Sequence, residues 1–144
     1  MAGRRQIAAL RLINSIRQHE LDAIGAELAG LRAQQSALTD QSAALTQRAI
    51  DEQAGSTLET QPYLPGYLSS VDRQQRGLAA EGDALNGQIG TLEDALFEQF
   101  RALKTTQTVL SKAQSGAKAD ADRAEQAALD DASRALFALQ RRSL

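Results

Sequence analysis

Leu78-Ala-Ala-Glu-Gly82-Asp-Ala-Leu85-Asn-Gly-Gln-Ile89-Gly-Thr-Leu92-Glu-Asp-Ala-Leu96 steps alternately by four and three, with Gly82 standing at one of the steps. That spacing averages about 3.5 residues, which keeps the numbered residues on one seam of an α-helix and marks half of a left-handed coiled coil. Followed outward, the spacing runs back through Gln75, Val71 and Leu68, and forward through Gln99, Leu103, Thr106, Leu110 and Ala113. An earlier tract repeats it through Leu21, Ile24, Leu28, Leu31, Gln35, Leu38, Ser42, Leu45 and Ala49. Between the tracts lies Gly55-Ser-Thr-Leu-Glu-Thr-Gln-Pro-Tyr-Leu-Pro-Gly66, which holds both prolines of the chain. The pattern predicts an all-α protein: a two-helix antiparallel coiled-coil hairpin, one domain over residues 1–144. Helix one is expected over about 4–53, the turn over about 54–66, and a longer helix two over about 67–141.

The turn sets further expectations. Gly55 suits the position just past a helix end, and Gln61 and Leu64, each preceding a proline, are steered toward extended or turn conformations. A hairpin centred there sets Leu31 against Ile89, Leu28 against Leu92, Ile24 against Leu96 and Leu10 near Leu110. Gly82 then either admits a bulky neighbour such as Leu38 or marks a weaker stretch of helix. Traced backward from Leu21, the seam meets Arg17 and Asn14 before recovering at Leu10 and Ile7, so Ile13 and Ile16 point to a second apolar face. Phe97 and Phe100, beside seam positions, are expected to widen the buried stripe against Ile16 to Ile24.

Helix one is exhausted near residue 116 of helix two, leaving 117–144 as a projecting extension or a segment packed elsewhere. It carries its own stripe of Leu129, Ala132, Leu136 and Leu139, with Phe137 alongside. A lone amphipathic helix draws most of its stability from packing, so this stripe expects a partner.

Composition narrows the function classes. Aromatic residues make up 3% of the chain and Trp is absent, which suits a thin helical seam rather than a thick core. An apolar content of 42% is above that of a disordered chain. The net charge of −2 gives no general attraction to nucleic acid or anionic lipid. No Cys is present, which excludes disulfides, thiolate metal sites and a thiol nucleophile. Arg11, Asn14, Arg17, Gln18 and His19 break up the N-terminal region, so no secretory signal is expected. No run approaches the roughly 20 apolar residues that span a bilayer. The expectation is a soluble intracellular protein.

Catalytic constellations are not found. His19 is the sole histidine, and Gly77, Gly82, Gly87 and Gly90 do not match a phosphate-binding loop. Glu93-Asp94 and Asp130-Asp131 are adjacent pairs that point about 100° apart on a helix. Helix two lacks a basic stripe interleaved with stacking aromatics. No enzymatic activity, cofactor, metal, nucleic acid or small-molecule substrate is therefore expected, and what remains is surface for proteins. Tyr63, Leu64, Tyr67, Leu68 and Val71 form the densest such cluster, where capping of the seam and contact with a partner both fit. Arg4, Arg5, Arg11 and Arg17 precede the first acidic residue, Glu20, whereas Asp51, Glu52 and Glu59 meet no base between Arg48 and Arg73.

The start Ala9-Leu-Arg-Leu-Ile13, the stretch Tyr63-Leu-Pro-Gly-Tyr67-Leu-Ser-Ser-Val-Asp-Arg-Gln-Gln75, and the paired heptad tracts around it resemble the FliJ/YscO family. These are central stalk proteins of flagellar and virulence type III export machines. The chain departs from that family in being only 24% charged. The resemblance implies a cytoplasmic, non-enzymatic coupling factor, most similar to the flagellar kind. Such a factor lies at the inner face of the membrane through protein contacts only. Its implied partners are an export ATPase ring, a membrane export gate and export chaperones. Arg4, Arg5, Arg11, Leu136, Leu139, Arg141 and Arg142 would face the ring, and Tyr63, Tyr67, Val71 and Leu78 would face the gate. The alternatives are a scaffold coiled coil, which would bury the Ile13/Ile16 and Leu136/Leu139 stripes against itself, and an export chaperone.

Overall fold

A computed structural model describes residues 2–143. Two helices account for nearly all of them: α1, Ala2–Ala54, and α2, Leu64–Arg142, of 53 and 79 residues. They form the antiparallel two-helix hairpin that the heptads require, with the second helix the longer. The chain divides into two units, one of the residues up to His19 with those from Phe100 onward, the other Glu20–Gln99. Both helices pass through both units, and the packing is given within each.

In the Glu20–Gln99 unit, α1 and α2 meet along the heptad positions. Leu28, Val71 and Ile89 are buried, and Leu31, Leu38, Leu45, Leu78, Leu85 and Leu92 are half-buried. Polar cross-links lie in the same seam. The Gln75 amide donates to the Ser42 carbonyl at 2.8 Å and to the Thr46 hydroxyl at 3.1 Å, and Gln35 donates to Asn86. Arg32 pairs with Glu93 at 3.0 Å across the edge. The two glutamine links lie within about one helical turn of the register that the turn implies. Polar groups at seam positions that satisfy one another only in one alignment specify that alignment.

In the other unit, Leu103 and Thr106 are buried, with Ile7, Leu10, Asn14, Arg17, Leu110 and Ala113 half-buried. The seam therefore runs through Asn14 and Arg17 without a break. Arg17 Nη1 donates to the Ala102 carbonyl at 2.6 Å and to Thr106 Oγ1 at 2.8 Å, and the Thr106 hydroxyl donates to the same carbonyl at 3.0 Å. The guanidinium stem thus lies along the seam while its head is satisfied by α2. Asn14 Oδ1 is buried without a hydrogen-bond partner. An unsatisfied buried acceptor costs about 1–3 kcal/mol. Asn14→Leu is accordingly expected to raise unfolding stability by about 1–3 kcal/mol, read as a higher urea midpoint by circular dichroism. A lower midpoint would show that the amide has a stabilising role in the seam.

The connection bears out one expectation and corrects another. α1 ends at Ala54 with Gly55 just past it, and the Gly55 N–H bonds to the Asp51 carbonyl at 2.9 Å without any left-handed backbone, since no described residue has a positive φ. Thr57 and Thr60 close the turn instead: the Thr57 amide donates to Thr60 Oγ1 at 2.8 Å, and the Thr60 and Gln61 amides donate to the Thr57 carbonyl. Leu64 is helical, at φ −62° and ψ −43°, although it precedes Pro65. A single 3-10 turn at Gln61–Tyr63 leads straight into α2, and the Leu64 amide bonds to the Gln61 carbonyl. Leu64 is half-buried. This local bonding and burial outweigh the steric bias of the following proline, which is itself tolerated in a first helical turn. The second helix therefore begins at Leu64, between Pro62 and Tyr67.

Among the described residues no side chain is fully enclosed. Two helices offer one shared seam and nothing to cover their outer faces. A buried Leu such as Leu28 or Leu103 contributes about 1.5–3 kcal/mol, and only a few residues reach that burial.

Candidate partner-binding surfaces

Exposed apolar side chains collect in three places. The first is the turn, where Leu58 is 91% exposed and Tyr63 78%. Thr57 and Thr60 use their side chains and backbone on each other, which leaves Leu58, between them, pointing away from any helix. Asp51, Glu52 and Glu59 make the same region acidic. Heptad reasoning passes over Leu58 because it belongs to neither tract. Its signal in the sequence is that of a lone apolar residue within a polar turn.

The four candidate gate residues divide. Tyr63 is exposed, Tyr67 and Leu78 are half-buried, and Val71 is buried. Val71 is therefore not an exposed contact residue. It lies on the α2 seam three residues after Leu68, and burial there is its heptad role. Leu78 is likewise a seam residue, although it lines shallow grooves on both sides of the hairpin. One groove is bounded by Gln41, Ala44, Arg48, Gln74, Gly77 and Glu81, and the other is more polar, with Gln35, Ser42, Gln75 and Asn86. Gly82 borders the second groove, and a Cβ added there would meet nothing within 4 Å. Leu38 does not press into it, so this glycine loosens the helix rather than allowing a close approach.

The second place is the unit that contains the N-terminal part of α1. Leu12, Ile13 and Ile16 are exposed, as are Phe100 and Val109. The second apolar face is thus present in α1 and uncovered. Phe100 carries the Lys104 ammonium 5.4 Å from its ring centroid. Neither Phe100 nor Phe97, which is 66% exposed in the other unit, widens a buried stripe as expected. Each follows a seam residue by one position, about 100° around the helix, where no further element exists to pack on it.

The third place is the α2 extension. Every described residue from Gln114 on is exposed, including Leu129, Leu136, Phe137 and Leu139. Arg141 lies over the Phe137 ring at 5.2 Å. Arg4, Arg5, Arg11, Arg141 and Arg142 are all exposed. They form two separate sets: α1 begins opposite the region of Ala113, and Arg141 lies on the order of 40 Å further along α2 at the helical rise per residue. What these surfaces can do chemically is dock other proteins, through exposed aliphatic and aromatic groups flanked by charge.

Among the described residues, no group of three or more His, Asp or Glu side chains is placed to hold a metal ion. No described helix is long and apolar enough to cross a membrane. No protein-family model, curated protein or solved structure matches the chain.

Proposed function

We propose that this chain is a non-enzymatic stalk or coupling factor of a type III protein export apparatus, of the flagellar kind. One observation carries the reading: a helical hairpin whose second helix outruns the first and bears an exposed apolar and basic stretch, Leu129 to Arg142. A stalk needs a helical end that a surrounding ring can grip. In this reading the export ATPase ring contacts Leu136, Leu139, Arg141 and Arg142, with Arg4, Arg5 and Arg11 as a second basic contact. The acidic turn, with Leu58, Tyr63 and the exposed part of Tyr67, takes the gate. An asymmetric helix pair touches the ring subunits unequally, which promotes ring assembly or biases their nucleotide states. The chain would work in the cytoplasm, held at the membrane by protein contacts, and would receive empty export chaperones.

The test is capture of partners on the tagged chain in its source cell, followed by an ATPase assay with the recovered ATPase. Recovery of an export ATPase or gate protein, and stimulation of hydrolysis, are expected. Recovery of the chain itself alone, or of a single exported substrate, would replace this reading with a scaffold or a chaperone. For the turn, Leu58→Ala with Tyr63→Ala should change folding stability by no more than about 0.5 kcal/mol, since both side chains are exposed. The same variant should recover roughly tenfold less gate protein, the loss expected when anchoring apolar contacts are removed. Undiminished recovery would remove the turn from the interface.

A further inference from the structure

We infer that the α2 extension pairs antiparallel with the extension of a second copy of this chain. The inference does not rest on the export reading, and because it uses Leu136, Leu139, Arg141 and Arg142, the surface assigned to the ring above, it describes the chain when it is not held by a ring. Continued past Ala113, the seam register falls on Ala117, Asp120, Ala124, Ala127, Asp131 and Arg134, so the face that α1 covers loses its apolar character. Leu129 and Leu136 stand two positions after Ala127 and Arg134, roughly 200° around the helix. α1 therefore has no access to this stripe, and Leu129, Leu136 and Leu139 are 55%, 65% and 61% exposed.

The stripe is self-complementary when reversed. Leu129, Ala132, Leu136 and Leu139 are spaced by three, four and three, the same in either direction. Setting Leu129 against Leu139 of the second copy also sets Ala132 against Leu136, small against large, and the same contacts repeat about the two-fold axis. The flanking positions Ala128, Ser133 and Ala135 are small and leave the helices free to close.

Charge selects both the occupant and its direction. Asp120 to Asp131 holds five carboxylates and one arginine, whereas Ala132 to Ser143 holds three arginines and no carboxylate. Antiparallel pairing sets acidic half against basic half, and parallel pairing would oppose like charges. In this alignment Arg141 comes level with Ala127 and Arg142 with Gln126 of the other copy, within about a turn of Glu125, Asp122 and Asp130. Arg123 and Arg134 already pair within the chain, with Asp120 and Asp131. Among the described residues no intrachain ion pair engages Asp122, Glu125 or Arg142.

The absence of native cysteine makes the test direct. Full-length Leu129→Cys mixed with full-length Leu139→Cys should form a disulfide-linked dimer under mild oxidation. Leu139→Cys alone should not, because two copies of that residue would lie about 15 Å apart along the pair, beyond disulfide reach. By sedimentation equilibrium, Arg141→Glu with Arg142→Glu should weaken association roughly tenfold or more, since each replaces attraction with repulsion. Asp122→Arg with Glu125→Arg should do the same, and mixing the two charge variants should restore dimers. Helicity by circular dichroism checks that each variant is folded. The proposal is overturned if the native chain sediments as a monomer at all concentrations. It is also overturned if Leu139→Cys alone cross-links as well as the mixture, or if Leu136→Asp leaves association unchanged, which would point to a different face. Cross-linking and sedimentation read the purified chain with no ATPase present, so failure here and failure of the export reading, which is read on the native chain by partner capture, are separable.

Discussion

Leu28→Asp is expected to cost at least about 4 kcal/mol and to unpair the helices of the Glu20–Gln99 unit. Leu28 is 4% exposed and sits on the α1 seam. Removing a buried leucine side chain costs about 2–5 kcal/mol, and a carboxylate left in its place adds the penalty of desolvating a charge. A single seam with few fully buried residues has little surplus to offset that loss, and the total stability of a small domain is only about 5–15 kcal/mol. Leu12→Asp is the matched control on the same helix. Leu12 is 63% exposed, and its substitution should change stability by about 0.5 kcal/mol or less. Urea titrations of both variants followed by circular dichroism decide the matter. Equal midpoints for the two would mean that the heptad seam does not hold the hairpin together.

Replacing Gly77, Gly82, Gly87 and Gly90 together with alanine is expected to stabilise α2 by about 3–4 kcal/mol. Each glycine inside a helix costs about 0.8–1 kcal/mol relative to alanine, because its backbone loses more freedom on folding. The gain is realised only where the added methyl has room and the backbone is ordinary. At all four positions a Cβ would meet no atom within 4 Å, and none has a positive φ. The midpoint of thermal unfolding should rise accordingly. A loss at any one position in the single variants would reveal a close approach of another helix there, as in an assembled complex or a dimer. The glycines thus mark a segment of α2 whose looseness is a property of the sequence and is not required by packing within the hairpin.

Periodicity made the architecture legible. Leu28, Val71, Ile89 and Leu103, all found buried, belong to the heptad tracts, and so do many of the half-buried positions between them. The candidate surfaces were less legible, because exposure depends on what stands opposite a residue. Phe97 and Phe100 have the composition of core residues and lie next to the seam, yet both remain exposed. Val71 read both as a seam position and as part of the aromatic and aliphatic cluster offered to a partner, and its burial leaves it the seam role alone. Arg17 and Asn14 read as an interruption of the register. Arg17 is instead accommodated because α2 presents the Ala102 carbonyl and the Thr106 hydroxyl at hydrogen-bonding distance.

By itself the sequence determined that the chain forms two helices of unequal length, folds back at the prolines and leaves residues beyond about 116 without α1. Those properties follow from local geometry: a repeat of about 3.5 residues, steric exclusion around proline, and a fixed rise per residue. Tertiary structure alone decided which polar seam residues are satisfied and which large apolar side chains remain open to partners. Those outcomes depend on contacts between residues tens of positions apart, and a residue's own type does not specify what it will meet.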